Sequence, residues 1–333
     1  MYRAVAENKV INGETHSLLY EDDLSSDFGF KTSTIRDTKG TSMEEAIRKS
    51  RVLIEALPYI QSFKDKIVVV KFGGSAMVNK DTFQSVLQDM VFMKSIGMKP
   101  IIVHGGGPFI SSEMIKRGKK PLFINGYRVT DKETLEIAID VLTNQIGKLI
   151  INHIDEMGAK GVCVWKENKS PIKARKFVYN DDKSETENLG YVGELTEIEC
   201  ESFIELCEGD QIPIVPPIAK GANGEDYNVN ADIVASFVAG SLKAEKLVFI
   251  SNTHGISTDP SNPESFTSTL HEDEVNELIK SGVISGGMLP KANACISAMR
   301  DGVSKAHIID GHIPHSLLLE IFTDKGVGTQ IIV

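Results

Sequence analysis

The chain has few cysteines, no long apolar run and no excess of positive charge, and each of these absences excludes a class of protein. The four cysteines among 333 residues form no Cys-x-x-Cys pair and have no histidine cluster around them. Neither a disulfide framework nor a zinc site is therefore predicted, and the predicted set of metal ligands is empty. Reduced thiols are typical of cytoplasmic proteins, and this is the compartment we expect. The cysteines are Cys163, Cys200, Cys207 and Cys295.

A run of about 18 apolar residues, which a membrane helix needs, is missing from the sequence. Positions 1–30 are rich in acidic residues and contain no apolar signal segment, which argues against a secretory or organelle leader. The formal net charge of -10 would repel nucleic acid and anionic membranes, because both are polyanions. We therefore expect neither of them as a partner.

The composition itself, with 41% hydrophobic and 25% charged residues, is that of a globular protein with a large core. Residues 1–41 show no sustained periodicity and are expected to form a flexible arm. A helix is predicted over 42–57, because Ser42 begins a capping-box pattern, apolar residues repeat at helical spacing and Pro58 is expected to end it. This helix precedes the first core strand, so we interpret it as an appendage to a domain that spans 58–333.

From residue 67 onward, short β-branched runs alternate with long amphipathic helices. This pattern is typical of an α/β fold in which helices cover both faces of a parallel sheet. The longest helix is predicted over 131–157 and opens with the capping-box pattern TDKE at 130–133. Residues 168–195 break the alternation and are interpreted as a β-hairpin over one face. The predicted strands are 67–70, 100–103, 161–165, 212–215, 246–250 and 306–309.

Two of these strands run directly into glycines, in KFGGS at 71–75 and HGGGP at 104–108. In an open α/β sheet, ligands bind at the carboxyl ends of the strands, where glycine lets backbone N–H groups approach an anion at a helix N-terminus. A single such turn is explained equally well by a tight connection with φ > 0. Two turns in consecutive units, one of them with Lys71, favour a phosphate cradle, although neither matches a Walker A or GxGxxG motif.

Three further segments place charged residues near helix starts. YNVNAD at 227–232 ends in Asp232, and SGGMLPK at 285–291 ends in Lys291. Each has an ordinary explanation by itself, since a carboxylate stabilises a helix N-terminus and most surface lysines are solvated. GYRVTD at 126–131 contains an arginine that either pairs with the aspartate three positions later or is free to bind a carboxylate.

The five segments, in the order in which they follow one another along the chain, resemble the signature blocks of the amino-acid kinase family and, within it, of the N-acetylglutamate kinases. The resemblance extends from about residue 57 to the C-terminus. It implies a three-layer αβα sandwich with a central, mostly parallel sheet, whose N-terminal half binds the acceptor and whose C-terminal half binds ATP. The implied reaction is ATP-dependent phosphorylation of the γ-carboxylate of N-acetyl-L-glutamate to N-acetylglutamyl 5-phosphate, in arginine biosynthesis.

The resemblance also implies roles for individual residues. Two lysines would stabilise charge on the transferring phosphoryl group, an aspartate would hold them in place, and two glycine N–H groups would bind the phosphoryl oxygens. These catalytic residues are Lys71, Lys291, Asp232, Gly74 and Gly106. The implied acceptor-binding residues are Gly105, Gly106, Arg128 for the α-carboxylate and Asn228 for the acetylamino end. The implied nucleotide-binding residues are Lys71, Gly73, Ser251, Asn252, Gly255, Ser285, Gly286, Gly287 and Lys291.

These assignments agree with the chemistry of the reaction. A carboxylate acceptor is already a nucleophile at neutral pH, so the site must bring two anions together and neutralise charge rather than supply a strong base. Accordingly, His104 is expected to orient its glycine turn rather than to act as a base. Mg²⁺ would arrive on the phosphates of ATP.

The chain departs from the family on the nucleotide side, where Asn252 stands in place of the usual acidic residue and 258–269 is enlarged. The rim of the ATP pocket is therefore expected to differ. Helix 42–57 and the C-terminal segment 315–329 resemble the arginine-inhibited branch of the family. That resemblance implies that 42–57 is an oligomerisation helix and that the chain forms a homo-oligomer, either a dimer or a hexamer in which three dimers are joined through this helix. It also implies that L-arginine binds between the two segments.

Two alternatives stay open. A neighbouring enzyme of the same fold would phosphorylate a longer N-blocked amino acid, such as N-acetylaminoadipate. A non-catalytic paralogue would bind arginine or a regulatory partner. The presence of Lys71, Asp232 and Lys291 argues against the second alternative, because a protein that only binds has no need for that arrangement.

Overall fold

A computed structural model gives the structure of the protein. It describes residues 7–11, 14–18, 43–167, 169–180, 186–187, 189–259, 262, 265–323 and 326–333. Contacts divide the chain into two compact units, residues 1–54 and residues 55–333. No helix in the described part of the chain is long and apolar enough to cross a membrane.

The strands are β1 Glu7–Ile11, β2 Glu14–Leu18, β3 Ile67–Phe72, β4 Lys99–His104, β5 Phe123–Ile124, β6 Tyr127–Arg128, β7 Gly161–Cys163, β8 Ile172–Lys176, β9 Tyr179–Asn180, β10 Thr186–Glu187, β11 Gly193–Ile198, β12 Ile212–Val215, β13 Ile218–Lys220, β14 Asp226–Asn228, β15 Lys246–Ser251, β16 Ile256–Ser257, β17 Phe266–Thr267, β18 Thr269–His271, β19 Lys305–Asp310 and β20 Gly328–Ile332. The α-helices are α1 Met43–Phe63, α2 Gly74–Val78, α3 Lys80–Ser95, α4 Gly107–Lys116, α5 Lys132–Ile139, α6 Lys148–Glu156, α7 Cys200–Glu208, α8 Ala231–Ser241, α9 Glu272–Lys280, α10 Met288–Arg300 and α11 Ser316–Phe322. A π-helix, Asp140–Gly147, joins α5 to α6.

The first unit contains a β-hairpin that the sequence analysis did not predict. Strands β1 and β2 pair antiparallel, with Val10 opposite Thr15. The sequence between them is Asn12-Gly13. This dipeptide is strongly associated with hairpin turns, so the hairpin could have been predicted from it. The rest of the predicted arm lies outside the described residues, as does the capping pattern at Ser42.

Helix α1 does not end before Pro58, so this expectation was wrong. It continues to Phe63 with Pro58 inside it. A proline in a helix removes one hydrogen bond and strains the preceding turn, a cost that packing of the following turn can offset. In the second unit, the ring of Tyr59 packs edge-on against Phe322 with centroids 6.4 Å apart, and Lys246 Nζ lies 5.3 Å from the ring centroid of Phe63.

The core of the second unit is an eight-stranded sheet in the order β18-β20-β19-β15-β3-β4-β12-β7. Neighbouring strands pair parallel, except β19 and β20. The prediction of a mostly parallel sheet is therefore confirmed, and all six predicted strands are present. Strand β3 and the five strands parallel to it have their carboxyl ends along one edge of the sheet.

Helices cover both faces of this sheet, which explains why its strands are apolar at successive positions. On one face Val69, Phe249 and Ile308 belong to the same buried cluster as residues of α7, α8 and α10. On the other face Phe72 stacks on Phe83 of α3, with ring centroids 5.7 Å apart. Each fully buried side chain of this size contributes about 1.5–3 kcal/mol. The predicted three-layer arrangement is confirmed.

The predicted hairpin over 168–195 is present in its described residues as the antiparallel pair β8 and β11. These two strands join β13 and β14 in a separate four-stranded sheet in the order β11-β8-β13-β14. Asn228, at the end of β14 in this smaller sheet, lies next to Tyr191. Its N–H donates to the Tyr191 carbonyl at 2.9 Å.

The long helix predicted over 131–157 is continuous, but its middle is a π-helix rather than an α-helix. Its cap also differs from the expectation. Asp131 is the N-cap, since its carboxylate accepts the N–H of Thr134 at 2.9 Å. The hydroxyl of Thr130 donates instead to the Arg128 carbonyl at 2.7 Å.

Candidate active site

The two glycine turns lie side by side at the carboxyl edge of the main sheet. Strands β3 and β4 are neighbours, with Phe72 opposite His104, so the residues after them are brought together. The N–H of Gly105 donates to the carbonyl of Phe72 at 2.9 Å and joins the two turns directly. Gly73 caps α2, which begins at Gly74. The sequence prediction that these glycines share one site agrees with this geometry.

Gly106, in the second of these turns, is tightly enclosed by neighbouring side chains. A Cβ at this position would lie 2.6 Å from Leu142 Cδ2 and 2.9 Å from Ile146 Cδ1. Both of those side chains come from the π-helix, whose wider turn brings them against the glycine. Gly106 is therefore required by close approach, and the same packing fixes the backbone that follows it. A Cβ at the adjacent Gly107 would meet no atom within 4 Å.

Three charged side chains from distant parts of the chain meet beside these turns, and we call them the charge cluster: Lys71, Asp232 and Lys291. Lys71 Nζ lies 2.7 Å from Asp232 Oδ1, and Lys291 Nζ lies 3.2 Å from Asp232 Oδ2. Lys71 and Asp232 are buried, while Lys291 is partly open to solvent. The cluster carries a net positive charge, which suits a polyanionic ligand.

Local structure fixes each member of the charge cluster. Lys71 points from β3 toward α8, because side chains two positions apart in a strand share a face and Val69 belongs to the buried cluster on that side. Asp232 lies in the first turn of α8, where the side chain of Asn230 caps the helix and accepts the Asp232 N–H at 2.7 Å. Lys291 lies in the first turn of α10 and also donates to the carbonyl of Gly287 at 3.3 Å.

Burial and charge act in opposite directions on this cluster. Burial opposes ionisation of Asp232, but the charges of Lys71 and Lys291 outweigh it and hold the pKa of the carboxyl below its usual range. Burial lowers the pKa of Lys71, while the carboxylate of Asp232 favours its ammonium form. The carboxylate of Asp232 lies between the two ammonium groups and reduces their mutual repulsion.

Arg128 is a buried cation whose hydrogen-bond partners in the described part of the chain are all neutral. Its guanidinium donates to the carbonyl of Gly107 at 2.9 Å and the hydroxyl of Ser111 at 2.9 Å. Burial lowers its pKa to about 10. The alternative pairing with Asp131 is wrong, because Asp131 binds Lys119 at 2.6 Å. Among the described residues Arg128 thus has no anionic partner, and a buried unpaired charge favours an anionic ligand.

Asn228 lies next to Arg128. Its side-chain amide donates to the hydroxyl of Thr130 at 3.3 Å, and the same hydroxyl donates to the Arg128 carbonyl. The two residues that the resemblance assigns to the acceptor are therefore linked by one intervening side chain. Sequence reasoning assigned Thr130 to a helix cap and did not foresee this link, for which the sequence carries no local signal.

The predicted nucleotide residues lie along the same edge. Ser251 ends β15, which pairs with β3, and Asn252 follows it in an exposed position. Gly255 has a structural explanation: its φ is +132° and a Cβ there would lie 2.5 Å from both Phe266 and Thr329. Ser285, Gly286 and Gly287 are exposed immediately before α10, and Gly286 has a φ of +53°.

A buried carboxylate that the sequence analysis missed, Asp310, lies at the end of the strand beside Ser251. It contacts two histidines, with His254 Nδ1 at 2.7 Å and His312 Nδ1 at 2.9 Å. The loss of an acidic residue at Asn252 therefore leaves another acid at this edge. An aspartate at the end of an apolar strand, followed by glycine, was the signal that could have found it.

Apart from the candidate active site, a polar cavity of about 340 Å³ lies at the opposite, amino-terminal edge of the main sheet. We call it the second polar cavity. Its charged and aromatic lining consists of Tyr59, Phe63, Glu245, Lys246, Lys305, His307 and Glu320. His307 Nδ1 lies 2.6 Å from Glu320 Oε1, and both are buried. Burial raises the pKa of the Glu320 carboxyl, but His307, the Val327 N–H and Lys246 outweigh it and keep the pKa below its usual range. The cavity thus presents an anion next to lysines.

Comparison with known proteins agrees with the site. The model of the amino acid kinase family matches residues 66–310. The chain is 47% identical over 289 residues to the acetylglutamate kinase of Moorella thermoacetica, covering 86% of this chain and 98% of that protein. It is also 47% identical over 292 residues to the acetylglutamate kinase of Carboxydothermus hydrogenoformans, covering 87% and 99%.

Among solved structures, the fold is similar to the N-acetylglutamate synthase of Neisseria gonorrhoeae complexed with coenzyme A and N-acetyl-glutamate. The TM-score is 0.74 at 23% identity, and the match covers 85% of this chain and 63% of the synthase. The chain therefore spans less than two thirds of that protein, and at this identity the likeness concerns the fold. The two glycine turns, the charge cluster and the similarity over most of the sequence lead to one conclusion: this chain belongs to the amino acid kinase family, among the acetylglutamate kinases.

Proposed function

We propose that this chain transfers the γ-phosphoryl group of ATP to the γ-carboxylate of N-acetyl-L-glutamate and forms N-acetylglutamyl 5-phosphate, a step of arginine biosynthesis. One observation carries the proposal: the buried charge cluster lies beside two glycine turns, in a chain 47% identical over 289 residues to an acetylglutamate kinase. The compartment that we propose is the cytoplasm, where its thiols would stay reduced.

The charge cluster supports phosphoryl transfer because the reaction develops negative charge that must be stabilised in place. Lys71 and Lys291 would contact the transferring group, and Asp232 would hold both lysines. The backbone N–H groups of Gly74 and Gly106 would bind phosphoryl oxygens at the two turns. No group of three His, Cys, Asp or Glu side chains in the described residues could hold a metal ion. Mg²⁺ would therefore be carried by the ATP phosphates, where it neutralises part of their charge.

The acceptor side supports a substrate with two carboxylates. Arg128 would pair with the α-carboxylate, which would supply the anion that its surroundings lack. Asn228 would contact the acetylamino end, with the backbone of Gly105 and Gly106 close to the reacting carboxylate. The acceptor would then lie between its two recognition residues and the charge cluster.

A coupled assay for ADP release tests this function directly. Activity with N-acetylglutamate, and little with N-acetylaminoadipate at the same concentration, is the expected outcome. The reverse preference would identify the kinase of a longer N-blocked substrate. Absence of turnover with either acceptor, while ATP still binds, would instead support the non-catalytic paralogue and refute the proposal.

We also propose that L-arginine binds the second polar cavity and inhibits the enzyme. Glu320 offers a carboxylate for the guanidinium, and Lys246 and Lys305 offer charge for the arginine carboxylate. The rings of Tyr59 and Phe63 give flat apolar surfaces on which a guanidinium can stack. Calorimetric titration with arginine, and with citrulline as the uncharged control, tests this: arginine should bind and citrulline should not. Equal binding of both would refute the assigned recognition.

The oligomer that we propose is a dimer, or a hexamer in which three dimers are joined through α1. None of the residues of α1 is buried, although several are large and apolar. The apolar residues exposed along it are Met43, Ile47, Val52, Leu53, Ile54 and Leu57. Leaving such a set of side chains in water is costly, and pairing with another copy of the helix would cover it. Sedimentation analysis of the whole chain measures the mass and would refute the proposal if the protein is monomeric.

A further inference from the structure

His104 is a fully buried histidine between the second glycine turn and the π-helix. It ends β4, and its side chain lies on the same face of the sheet as Phe72, opposite to Val103. Gly147 of the π-helix lies against the ring, since a Cβ there would be 3.9 Å from His104 Nε2. The imidazole is therefore enclosed by protein and cannot exchange protons with a substrate directly.

The hydrogen bonds of this ring define its tautomer. Nδ1 lies 3.1 Å from the carbonyl oxygen of Gly105, and a carbonyl can only accept, so Nδ1 carries the proton. The other nitrogen, Nε2, is buried without a hydrogen-bond partner in the described part of the chain. Burial also lowers the pKa of His104 to about 4, so the ring is neutral at physiological pH.

The bond from His104 acts on a peptide unit that the reaction uses. The carbonyl of Gly105 and the N–H of Gly106 belong to the same planar peptide and point in opposite directions. Holding the carbonyl therefore sets the direction of the N–H. The preceding peptide is held as well, by the bond from the Gly105 N–H to the Phe72 carbonyl at 2.9 Å. On the following side, the π-helix lies close to the backbone of Gly106, since a Cβ there would be 2.6 Å from Leu142 Cδ2.

We propose that His104 is a positioning residue that, as the neutral Nδ1–H tautomer, fixes the Gly105–Gly106 peptide and so aims the Gly106 N–H at the transferring phosphoryl group. This inference rests on the proposed kinase function. An N–H that is already oriented stabilises the transition state without reorganising, which is the source of its catalytic effect. His104 thus affects the rate through the backbone of Gly106 and touches neither substrate.

Three substitutions separate this role from simple packing. In His104→Asn the amide nitrogen can occupy the place of Nδ1 and donate to the Gly105 carbonyl, whereas in His104→Gln it reaches the place of Nε2, and His104→Ala has no donor. We expect His104→Asn to keep kcat within about tenfold of the wild type, and the other two to lose about a hundredfold, as for removal of one oriented donor. The KM for N-acetylglutamate and the affinity for ADP should change little in all three. Equal kcat values in the three variants, or a better rescue by Gln than by Asn, would overturn the proposal.

A measurement on the unmodified protein decides the matter even if the variants do not fold. Nitrogen-15 NMR of the histidine side chains distinguishes a protonated from an unprotonated ring nitrogen, and we expect His104 to have Nδ1 protonated and Nε2 unprotonated at neutral pH. A protonated Nε2 would overturn the proposal. This measurement does not depend on turnover, so a failure of the proposed function, seen as no ADP release by the wild type, is distinct from a failure of the positioning role.

Discussion

Replacing Lys71 by methionine should separate the catalytic contribution of the charge cluster from its contribution to stability. Methionine keeps most of the volume of the lysine stem and removes only the charge. Because Lys71 Nζ lies 2.7 Å from Asp232 and is buried, its charge acts where water screens little. We expect Lys71→Met to lower kcat by about a hundredfold to a thousandfold, with a much smaller change in the KM for N-acetylglutamate.

The same substitution leaves Asp232 as a buried carboxylate with a single partner. Loss of one member of a buried ion pair costs about 3–5 kcal/mol when no partner remains. Lys291 is still 3.2 Å from Asp232, so we expect a loss near the lower limit, about 3 kcal/mol. Adding Asp232→Asn removes the uncompensated charge, and the double variant should regain part of the lost stability while its kcat stays low.

Urea unfolding and the ADP-release assay measure the two quantities on the same samples. Lys66→Met is the matched control. Lys66, like Lys71, pairs with a carboxylate, that of Glu245 at 3.3 Å, but its side chain is half exposed. It should change stability by no more than about 0.5 kcal/mol and leave kcat unchanged. A Lys71→Met enzyme with near wild-type kcat, or a double variant that recovers activity together with stability, would refute the reasoning.

Four other changes test separate parts of the structure. Arg128→Ala should raise the KM for N-acetylglutamate at least about tenfold with little effect on the KM for ATP, since a charge-assisted bond is worth about 1.5–3 kcal/mol; equal weakening of both in steady-state kinetics would indicate a folding defect instead. Gly106→Ala should lower the free energy of unfolding by about 1–3 kcal/mol through overpacking against the π-helix, whereas Gly107→Ala, with open space for its methyl group, should not, and denaturant titration compares them. Lys246→Met should raise the arginine concentration for half inhibition at least about tenfold without changing kcat in the absence of arginine, as an inhibition titration would measure. Deleting residues 1–57 should give dimers by sedimentation, with weaker arginine inhibition and measurable catalysis. An unchanged mass and an unchanged inhibition curve would show that the deleted residues serve neither assembly nor inhibition.

The sheet and its site edge could be predicted because parallel strands leave clear traces in a sequence. Strands buried on both faces are continuous apolar runs, and their carboxyl ends must lie on one edge. The glycine turns that follow Lys71 and His104 could therefore be placed at the same edge of the sheet from the pattern alone, and β3 and β4 do pair with Phe72 opposite His104. The strand limits were less certain, since apolar runs do not mark where pairing stops: the predicted 161–165 ends at Cys163.

The interpretation of Arg128 could not be decided from the sequence. Asp131 is three positions away and was a plausible partner, but it binds Lys119 instead. Lys119 precedes it by 12 residues and carries no local signal of that pairing. The π-helix could not be predicted either, because apolar residues at helical spacing do not distinguish an α-helical from a π-helical turn. Two of its residues, Leu142 and Ile146, lie close to Gly106, and this long-range packing arises only on folding.

The second polar cavity was predicted only in part. The C-terminal segment with Glu320 and the helix before the core were expected to meet around arginine, but Lys246 and His307 were not expected there. Lys246 begins β15, directly before an apolar run, and His307 lies between Ala306 and Ile308 in β19. A charged or polar side chain inside such a strand must find a partner when it is buried, and this was the available signal. Which partner it finds depends on α11, more than 70 positions after Lys246, where the Glu320 carbonyl accepts from its ammonium at 3.3 Å.

The two sites lie at opposite ends of the same strands, and this limits how one can affect the other. Strand β15 has Lys246 at the cavity end and Ser251 at the site end. A paired strand buried on both faces cannot lengthen or slide without breaking its hydrogen bonds, so coupling along it would be rigid. Helix α11 offers a second route, because the cavity residue Glu320 lies on it and His315, at its start, binds Asp89 of α3 with 2.5 Å between Nδ1 and Oδ1. Helix α3 follows α2 and the first glycine turn. An effector that displaces α11 would therefore act on the phosphoryl-binding edge through α3, which is a packed connection of the kind that transmits discrete shifts.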